Sequence, residues 1–205
     1  MKYKCIAFDM DGTLIDSERV GLVSLQATIK ELLHKDVTLK DLYFSLGIPG
    51  EKAIEMIGFE DNDEALSYWD YLYLQMREGI VTFEGADIIL SSLKEKGYIL
   101  GLVTSGFKKD VENHLVRLGL DVYFDSIVTA QDTIKHKPEA EPLLKLLENL
   151  NLEKEEVLYV GDSKYDAKCA QNAGIDFALA KWGSRHTGIN AKYALDSILD
   201  VLKIV

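Results

Sequence analysis

Residues 8–14, with the sequence FDMDGTL, determine how the rest of the chain is interpreted. They follow a short apolar run that starts at Tyr3, and a run of this length and composition favours a buried β-strand. In open parallel sheets, ligands bind at the carboxyl ends of the strands. Two carboxylates, Asp9 and Asp11, stand at this strand end, and Gly12 allows the chain to turn sharply. The segment therefore predicts an acidic site at the edge of a sheet.

Beyond this segment, much of the chain has the pattern of an α/β protein with a doubly wound parallel sheet. Short runs rich in branched and aromatic residues alternate with amphipathic segments, as expected for strands covered by helices on both faces. The predicted strands are residues 3–8, 99–104, 126–128, 157–160 and 177–180. The predicted helices are residues 85–96, 108–118, 143–150, 164–173 and 196–204.

Residues 15–82 interrupt this alternation. Apolar residues recur there at helical spacing in the segments 20–33, 39–46, 52–57 and 64–77, and no strand is predicted among them. An all-helical block between the first two strands is typical of an inserted domain. We therefore predict a core of residues 1–14 and 83–205, with a helical insert of residues 15–82.

Three further motifs follow in the predicted core. Thr104 and Ser105 end the second strand, Lys137 precedes a proline in a loop, and Asp162 and Asp166 belong to a GDSKYD segment after a later strand. Taken alone, each has an ordinary structural explanation: a polar turn, a solvated lysine and a helix-capping acid. Their order along the chain is what makes the set informative.

The order DxDGT, strand-end Thr, Lys-Pro and GDSxxD resembles the haloacid dehalogenase superfamily of phosphatases. The resemblance covers nearly the whole chain, and it implies a Rossmann-like core with an inserted all-helical cap. Within the superfamily, the chain most resembles the branch of phosphoglycolate phosphatases, pyrophosphate-cleaving phosphatases and β-phosphoglucomutase.

The resemblance implies a role for each acidic residue. Asp9 is expected to attack phosphorus and form an acyl-phosphate, and Asp11 is expected to act as general acid and base. Mg²⁺ is the expected cofactor, held by Asp9, by Asp162 and by the backbone carbonyl of Asp11. The role of Asp166 near this metal stays open. An acid at position 11 argues against dehalogenation, because the dehalogenases of the superfamily lack it.

The resemblance also implies which residues hold the phosphoryl group. Thr104, Ser105 and Lys137 are the expected contacts, and Lys137 is favoured over Lys135 because it precedes the proline. In the insert, Lys52 follows a Gly/Pro turn like the specificity loop of this branch and is a candidate contact for a distal anion of the substrate. An ordinary helix connection with a solvated lysine is the favoured explanation of Lys52 from the sequence alone.

Composition limits the partners. The formal net charge of -11 and a pI near 4.8 argue against nucleic acid or an anionic membrane surface as a partner. No run approaches the length of a membrane span, and the first residues lack a secretory signal, so a cytoplasmic location is expected. Two cysteines, Cys5 and Cys169, are too few for a disulfide framework and are predicted to pack in the core. The pattern leaves open whether the protein is a monomer or a homodimer.

The preferred function is hydrolysis of a small phosphorylated metabolite. A β-phosphoglucomutase-like phosphosugar mutase is the alternative, because it has every core motif and differs in the cap. A phospho-accepting receiver domain is disfavoured, because Asp9 and Asp11 lie in one turn and a large insert is present.

Overall fold

The structure, a computed structural model, describes residues 2–185 and 187–205. The strands in this part of the chain are β1 Cys5–Phe8, β2 Ile15–Asp16, β3 Val81–Thr82, β4 Ile99–Val103, β5 Ser126–Val128, β6 Val157–Gly161, β7 Asp176–Ala180 and β8 Tyr193–Leu195. Six of them form a parallel sheet in the order β5-β4-β1-β6-β7-β8. Both β1 and β6 are buried at every residue, which explains why they lack polar alternation. The predicted α/β class is confirmed.

Three strands of the structure, β2, β3 and β8, were not predicted from the sequence. The prediction of no strand in residues 15–82 is wrong, because β2 and β3 lie at its ends and pair as a two-stranded sheet. Each has only two residues, too few for any periodicity to appear. At the sheet edge, β8 is also short, with only Leu195 buried.

Within the described residues, four α-helices accompany the main sheet. Their bounds are α4 Ala86–Glu95, α5 Lys108–Asp110, α6 Glu141–Leu150 and α7 Lys164–Ala173. Helices α6 and α7 contribute Leu143, Leu146 and Cys169 to one buried apolar cluster with β6 and β7. As predicted, both cysteines are buried in this cluster and form no disulfide.

Two predicted helices have a different form. The helix predicted at 108–118 is a short α-helical turn that continues as a π-helix at Val111–Val116, whose wider turn buries Val111, His114 and Leu115 together. The helix predicted at 196–204 is a 3₁₀-helix, Ile198–Lys203. Three residues per turn align Ile198 with Val201, and both are buried.

The chain divides into two compact units. One comprises the chain up to Asp16 together with Thr82–Val205, and the other is Ser17–Val81. The second unit contains α1 Glu18–Leu33, a 3₁₀-helix at Leu39–Ser45, α2 Gly50–Ile57 and α3 Asn62–Gln75. It has its own apolar core, made of Leu22, Leu25, Ile29, Leu42, Ile54, Phe59 and Ala65. That this unit acts as a cap stays a prediction.

Candidate active site

The candidate site lies at the carboxyl edge of the central strands. Asp9 follows β1, Thr104 follows β4 and Asp162 follows β6. Strand β1 pairs with β4 on one side and β6 on the other, so the three strand ends are neighbours in the sheet. The first connection from β1 leads to β4 on one side, and β6 is added later on the other. This reversal of strand order at β1 is where open α/β sheets form a ligand crevice.

The loop after Asp9 turns back tightly. The Met10 carbonyl accepts hydrogen bonds from the amides of Leu14 at 2.9 Å and Ile15 at 3.1 Å, and the Gly12 amide donates to the Ile15 carbonyl at 2.9 Å. Gly12 has a φ of +79°, in the left-handed region that favours glycine. A methyl group on Gly12 would lie 2.7 Å from the Asp162 carboxyl group, so side-chain space also requires glycine here.

Lys137 joins two acids at the centre of the site. Its Nζ donates to Asp9 Oδ1 at 2.6 Å and to Asp166 Oδ1 at 2.7 Å, and all three side chains are buried. Asp166 Oδ1 also accepts a hydrogen bond from Tyr159 Oη at 2.8 Å, and its Oδ2 accepts from the amide and hydroxyl of Ser163. Asp166 thus caps α7 and anchors Lys137 at the same time.

Three carboxylates compete for this one ammonium group. Oxygen atoms of Asp9, Asp162 and Asp166 all lie within 4.8 Å of one another. Burial, reinforced by the charge of Asp166, raises the pKa of Asp9 to about 8 against the pull of Lys137. Burial, together with the charges of Asp166 and Asp9, also raises the pKa of Asp162. Burial alone would lower the pKa of Lys137, but Asp166 and Asp9 outweigh it and raise that pKa.

This charge balance fits a divalent cation. When all three acids are ionised, three carboxylates and one ammonium leave the cluster two negative charges in excess, which one divalent ion would neutralise. Carboxylate oxygens are the ligands that Mg²⁺ prefers, and an ion beside Asp9 and Asp162 would return both pKa values toward the ionised form. The two acids predicted from sequence as carboxylate ligands are thus brought together.

The other predicted residues are placed as follows. Thr104 is buried, and its Oγ1 accepts a hydrogen bond from the Gly106 amide at 3.0 Å, while Ser105 is half-buried in the same turn. Asp11 is half-buried in the loop after β1, and its charge contributes to the raised pKa of Asp9. Lys52 lies exposed on α2, where its Nζ pairs with Glu55 of the same helix at 2.7 Å.

Two residues of the site were missed by sequence reasoning. Tyr159 lies on β6, and Lys137 Nζ lies 5.5 Å from the centroid of its ring. Trp182 follows β7, and its Nε1 donates to the Thr13 carbonyl at 2.9 Å. A tyrosine inside an otherwise aliphatic buried strand is a usable signal, because a buried hydroxyl needs a partner. Nothing in the local sequence connects Trp182 with Thr13.

Comparison with known proteins identifies the family. The family model for haloacid dehalogenase-like hydrolases matches residues 6–180. The chain belongs to this family. The pyrophosphatase PpaX of Bacillus mycoides is 30% identical, and the match covers 98% of this chain and 94% of that protein. A protein of Caldanaerobacter subterraneus, provisionally named as PpaX, is 32% identical over 100% of this chain and 96% of its own.

A solved structure agrees in fold over the full length. A protein from Lactobacillus plantarum, provisionally assigned as a phosphoglycolate phosphatase, matches with a TM-score of 0.90 and 25% identity, and the match covers 100% of both chains. This haloacid dehalogenase-like hydrolase is therefore an enzyme of the phosphatase type. Within the part of the chain that the structure describes, none of the helices has both the length and the apolar character needed to cross a bilayer.

Proposed function

We propose that this hydrolase is a Mg²⁺-dependent phosphohydrolase that acts on a small phosphorylated metabolite through an aspartyl-phosphate on Asp9. The observation that carries the proposal is the buried contact of Lys137 with Asp9, beside the carboxylate of Asp162. A buried ammonium in contact with a nucleophile can offset part of the negative charge of that group and of the incoming phosphate. Phosphoryl transfer requires mainly this kind of positioning and charge neutralisation.

The first half-reaction transfers the phosphoryl group to the enzyme. An Asp9 carboxylate oxygen attacks phosphorus, the bond from phosphorus to the leaving oxygen breaks, and Asp11 gives that oxygen a proton. In the second half-reaction, Asp11 takes a proton from water, whose oxygen attacks phosphorus. The bond between phosphorus and the Asp9 oxygen breaks, inorganic phosphate leaves, and both aspartates return to their first state.

Other residues of the chain bind and orient the phosphoryl group. The Thr104 hydroxyl stands at the end of β4, next to β1, where it can donate to a phosphoryl oxygen. Ser105 is the second candidate donor, in the same turn. Lys137 offsets the negative charge of Asp9 and of the phosphoryl group, and Asp166 keeps its ammonium in place.

The cation would be held by the carboxylates of Asp9 and Asp162 and by the backbone carbonyl of Asp11. When bound, Mg²⁺ supplies positive charge to the phosphoryl oxygens and to both acids. Its removal would leave the excess negative charge of the cluster, which opposes the approach of an anionic substrate.

The substrate belongs to one of two related classes. Likeness to a phosphoglycolate phosphatase supports a small phosphate monoester, and likeness to PpaX supports inorganic pyrophosphate. Lys52 in the helical unit is the proposed contact for a distal anionic group. The phosphosugar mutase alternative, the cytoplasmic location and a monomeric or homodimeric state stay predictions from the sequence.

The test is a substrate panel with two neighbouring lysine variants. We expect phosphate release from phosphoglycolate, sugar phosphates or pyrophosphate with Mg²⁺, and none with EDTA. Lys137→Gln should lower kcat at least about a hundredfold, because it removes the charge next to Asp9. Lys135→Gln is the matched control, since Lys135 is exposed, and it should stay within about twofold of wild type. Isomer formation without phosphate release would instead indicate a mutase, and equal effects of both variants would contradict the role of Lys137.

A further inference from the structure

The turn after β7 packs directly against the loop that carries Asp9 and Asp11. Its backbone is closed by a hydrogen bond from the Ser184 amide to the Ala180 carbonyl at 3.2 Å. The indole Nε1 of Trp182 donates to the Thr13 carbonyl at 2.9 Å, across 169 positions of sequence. The contact therefore depends on the tertiary fold and holds a loop carbonyl that lies two residues beyond Asp11.

Gly183 in the same turn has no room for a side chain. A methyl group built on it would overlap the carbonyl oxygen of Gly12 and would lie 2.6 Å from the carbonyl carbon. Its φ lies outside the left-handed region, so the backbone conformation alone would accept alanine. Space, and not conformation, is what requires glycine at this position.

Gly12 is itself close to a second group, the Asp162 carboxyl. A methyl group on Gly12 would lie 2.7 Å from that carboxyl group. Gly12 is thus close to both the Asp162 side chain and Gly183, and neither glycine has room for a methyl group. A displacement of Gly12 would move the peptide that carries the Asp11 carbonyl, because Asp11 and Gly12 share that peptide bond.

From this packing we infer that Trp182 and Gly183 are positioning residues for the Asp9–Asp11 loop. The inference rests on the function proposed above for Asp9, Asp11 and Asp162. Gly183 sets how closely the Gly12 carbonyl of the loop approaches the turn after β7, and Trp182 fixes the end of the loop at Thr13. Neither residue is assigned a contact with the substrate, so both act through the backbone of the loop.

The experiment compares Trp182→Phe with Trp69→Phe. Trp69 is the matched control, because its Nε1 also donates hydrogen bonds, to Ser24 Oγ at 2.9 Å and to the Gly21 carbonyl at 3.3 Å, within the helical unit. Trp182→Phe should speed hydrogen–deuterium exchange in the peptide spanning residues 9–15, and Trp69→Phe should leave that peptide unchanged. Trp182→Phe should also lower kcat about three- to tenfold with little change in KM, the size expected for one lost hydrogen bond.

A second pair of variants tests the crowding. Gly183→Ala should lower kcat about a hundredfold, since displacement of a catalytic loop by about 1 Å has effects of that size. Gly21→Ala is the control, because the nearest atom to its added methyl, in Tyr73, would be 3.8 Å away. It should leave kcat unchanged.

The outcomes separate this inference from the proposed function. Unchanged exchange in residues 9–15 of Trp182→Phe would overturn the inference, whatever the activity. Faster exchange with wild-type kcat in both Trp182→Phe and Gly183→Ala would also overturn it, because the turn would then be merely structural. If the wild-type chain releases no phosphate from any compound in the panel, the proposed function fails, and the exchange comparison still decides whether the turn holds the loop.

Discussion

Without metal, the Asp162→Asn variant should be more stable than the wild type. Adding Mg²⁺ should not stabilise the variant further, whereas it should stabilise the wild type. The carboxylate oxygens of Asp9, Asp162 and Asp166 lie within 4.8 Å of one another, and Lys137 forms ion pairs with two of these acids, Asp9 and Asp166. Asparagine keeps the shape of the side chain and an oxygen that can accept the hydrogen bond of Thr13 Oγ1, at 3.4 Å. Only the charge is removed.

The magnitude follows from these distances. Two unit charges 4.8 Å apart repel by about 3.5 kcal/mol at an effective dielectric constant near 20, and Asp162 faces two such charges when Asp9 and Asp166 are both ionised. Attraction to Lys137 and uptake of a proton relieve much of this repulsion, as the raised pKa of Asp162 indicates. We therefore expect a gain of about 1–2 kcal/mol in the free energy of unfolding, or about 2–8 °C in Tm for a chain of this size.

Magnesium should stabilise the wild type far more than the Asp162→Asn variant. Binding to the wild-type site at a hundred times Kd adds about 2.7 kcal/mol of stability, and the variant should lose most of this. Thermal unfolding of both proteins in EDTA and in saturating Mg²⁺ measures the crossing pattern. Asp36→Asn is the control, because it makes the same charge change at an exposed ion pair with Lys30. It should change the Tm by no more than about 2 °C, both in EDTA and in saturating Mg²⁺.

Two results would refute this reasoning. A lower Tm of Asp162→Asn in EDTA would mean that the carboxylate is a structural group stabilised by its neighbours. A magnesium-dependent rise in Tm equal to that of the wild type would mean that Asp162 does not hold the cation.

Three further predictions concern single residues. Asp9→Asn should fold normally and retain less than about one percent of kcat, because an amide cannot form the acyl-phosphate; higher retention would refute the covalent mechanism. Asp11→Asn should release an initial burst of nitrophenol from nitrophenyl phosphate and accumulate a phosphorylated Asp9 peptide detectable by mass spectrometry, since water attack needs the general base. If Asp11→Asn lowers kcat equally for substrates with good and with poor leaving groups, and no phosphorylated intermediate is trapped, Asp11 is structural. Burial raises the pKa of the Cys5 and Cys169 thiols to about 12, so a thiol reagent at pH 8 should label both only in denaturant, and rapid labelling of the native protein would contradict the buried assignment.

The sequence was sufficient for the features that depend on neighbouring residues. The apolar run before Asp9, the acidic turn after it and the helical spacing of residues 20–33 are local patterns, and each corresponds to an element of the structure. Strands of two residues, such as β2 and β3, carry no periodic signal and were missed. The π-helical turn at Val111–Val116 was missed for a related reason, since its apolar spacing fits an α-helix equally well.

The sequence by itself determined which chemical groups are present and, through their order, the family to which the chain belongs. Only the tertiary structure decided which of these groups meet. Lys137 contacts Asp9 across 128 positions, and Trp182 contacts Thr13 across 169. Parallel strands that are distant in sequence bring their carboxyl ends to one edge, so such contacts depend on strand order and packing. For the same reason, the need for glycine at Gly183 becomes apparent only when the Gly12 carbonyl lies against it.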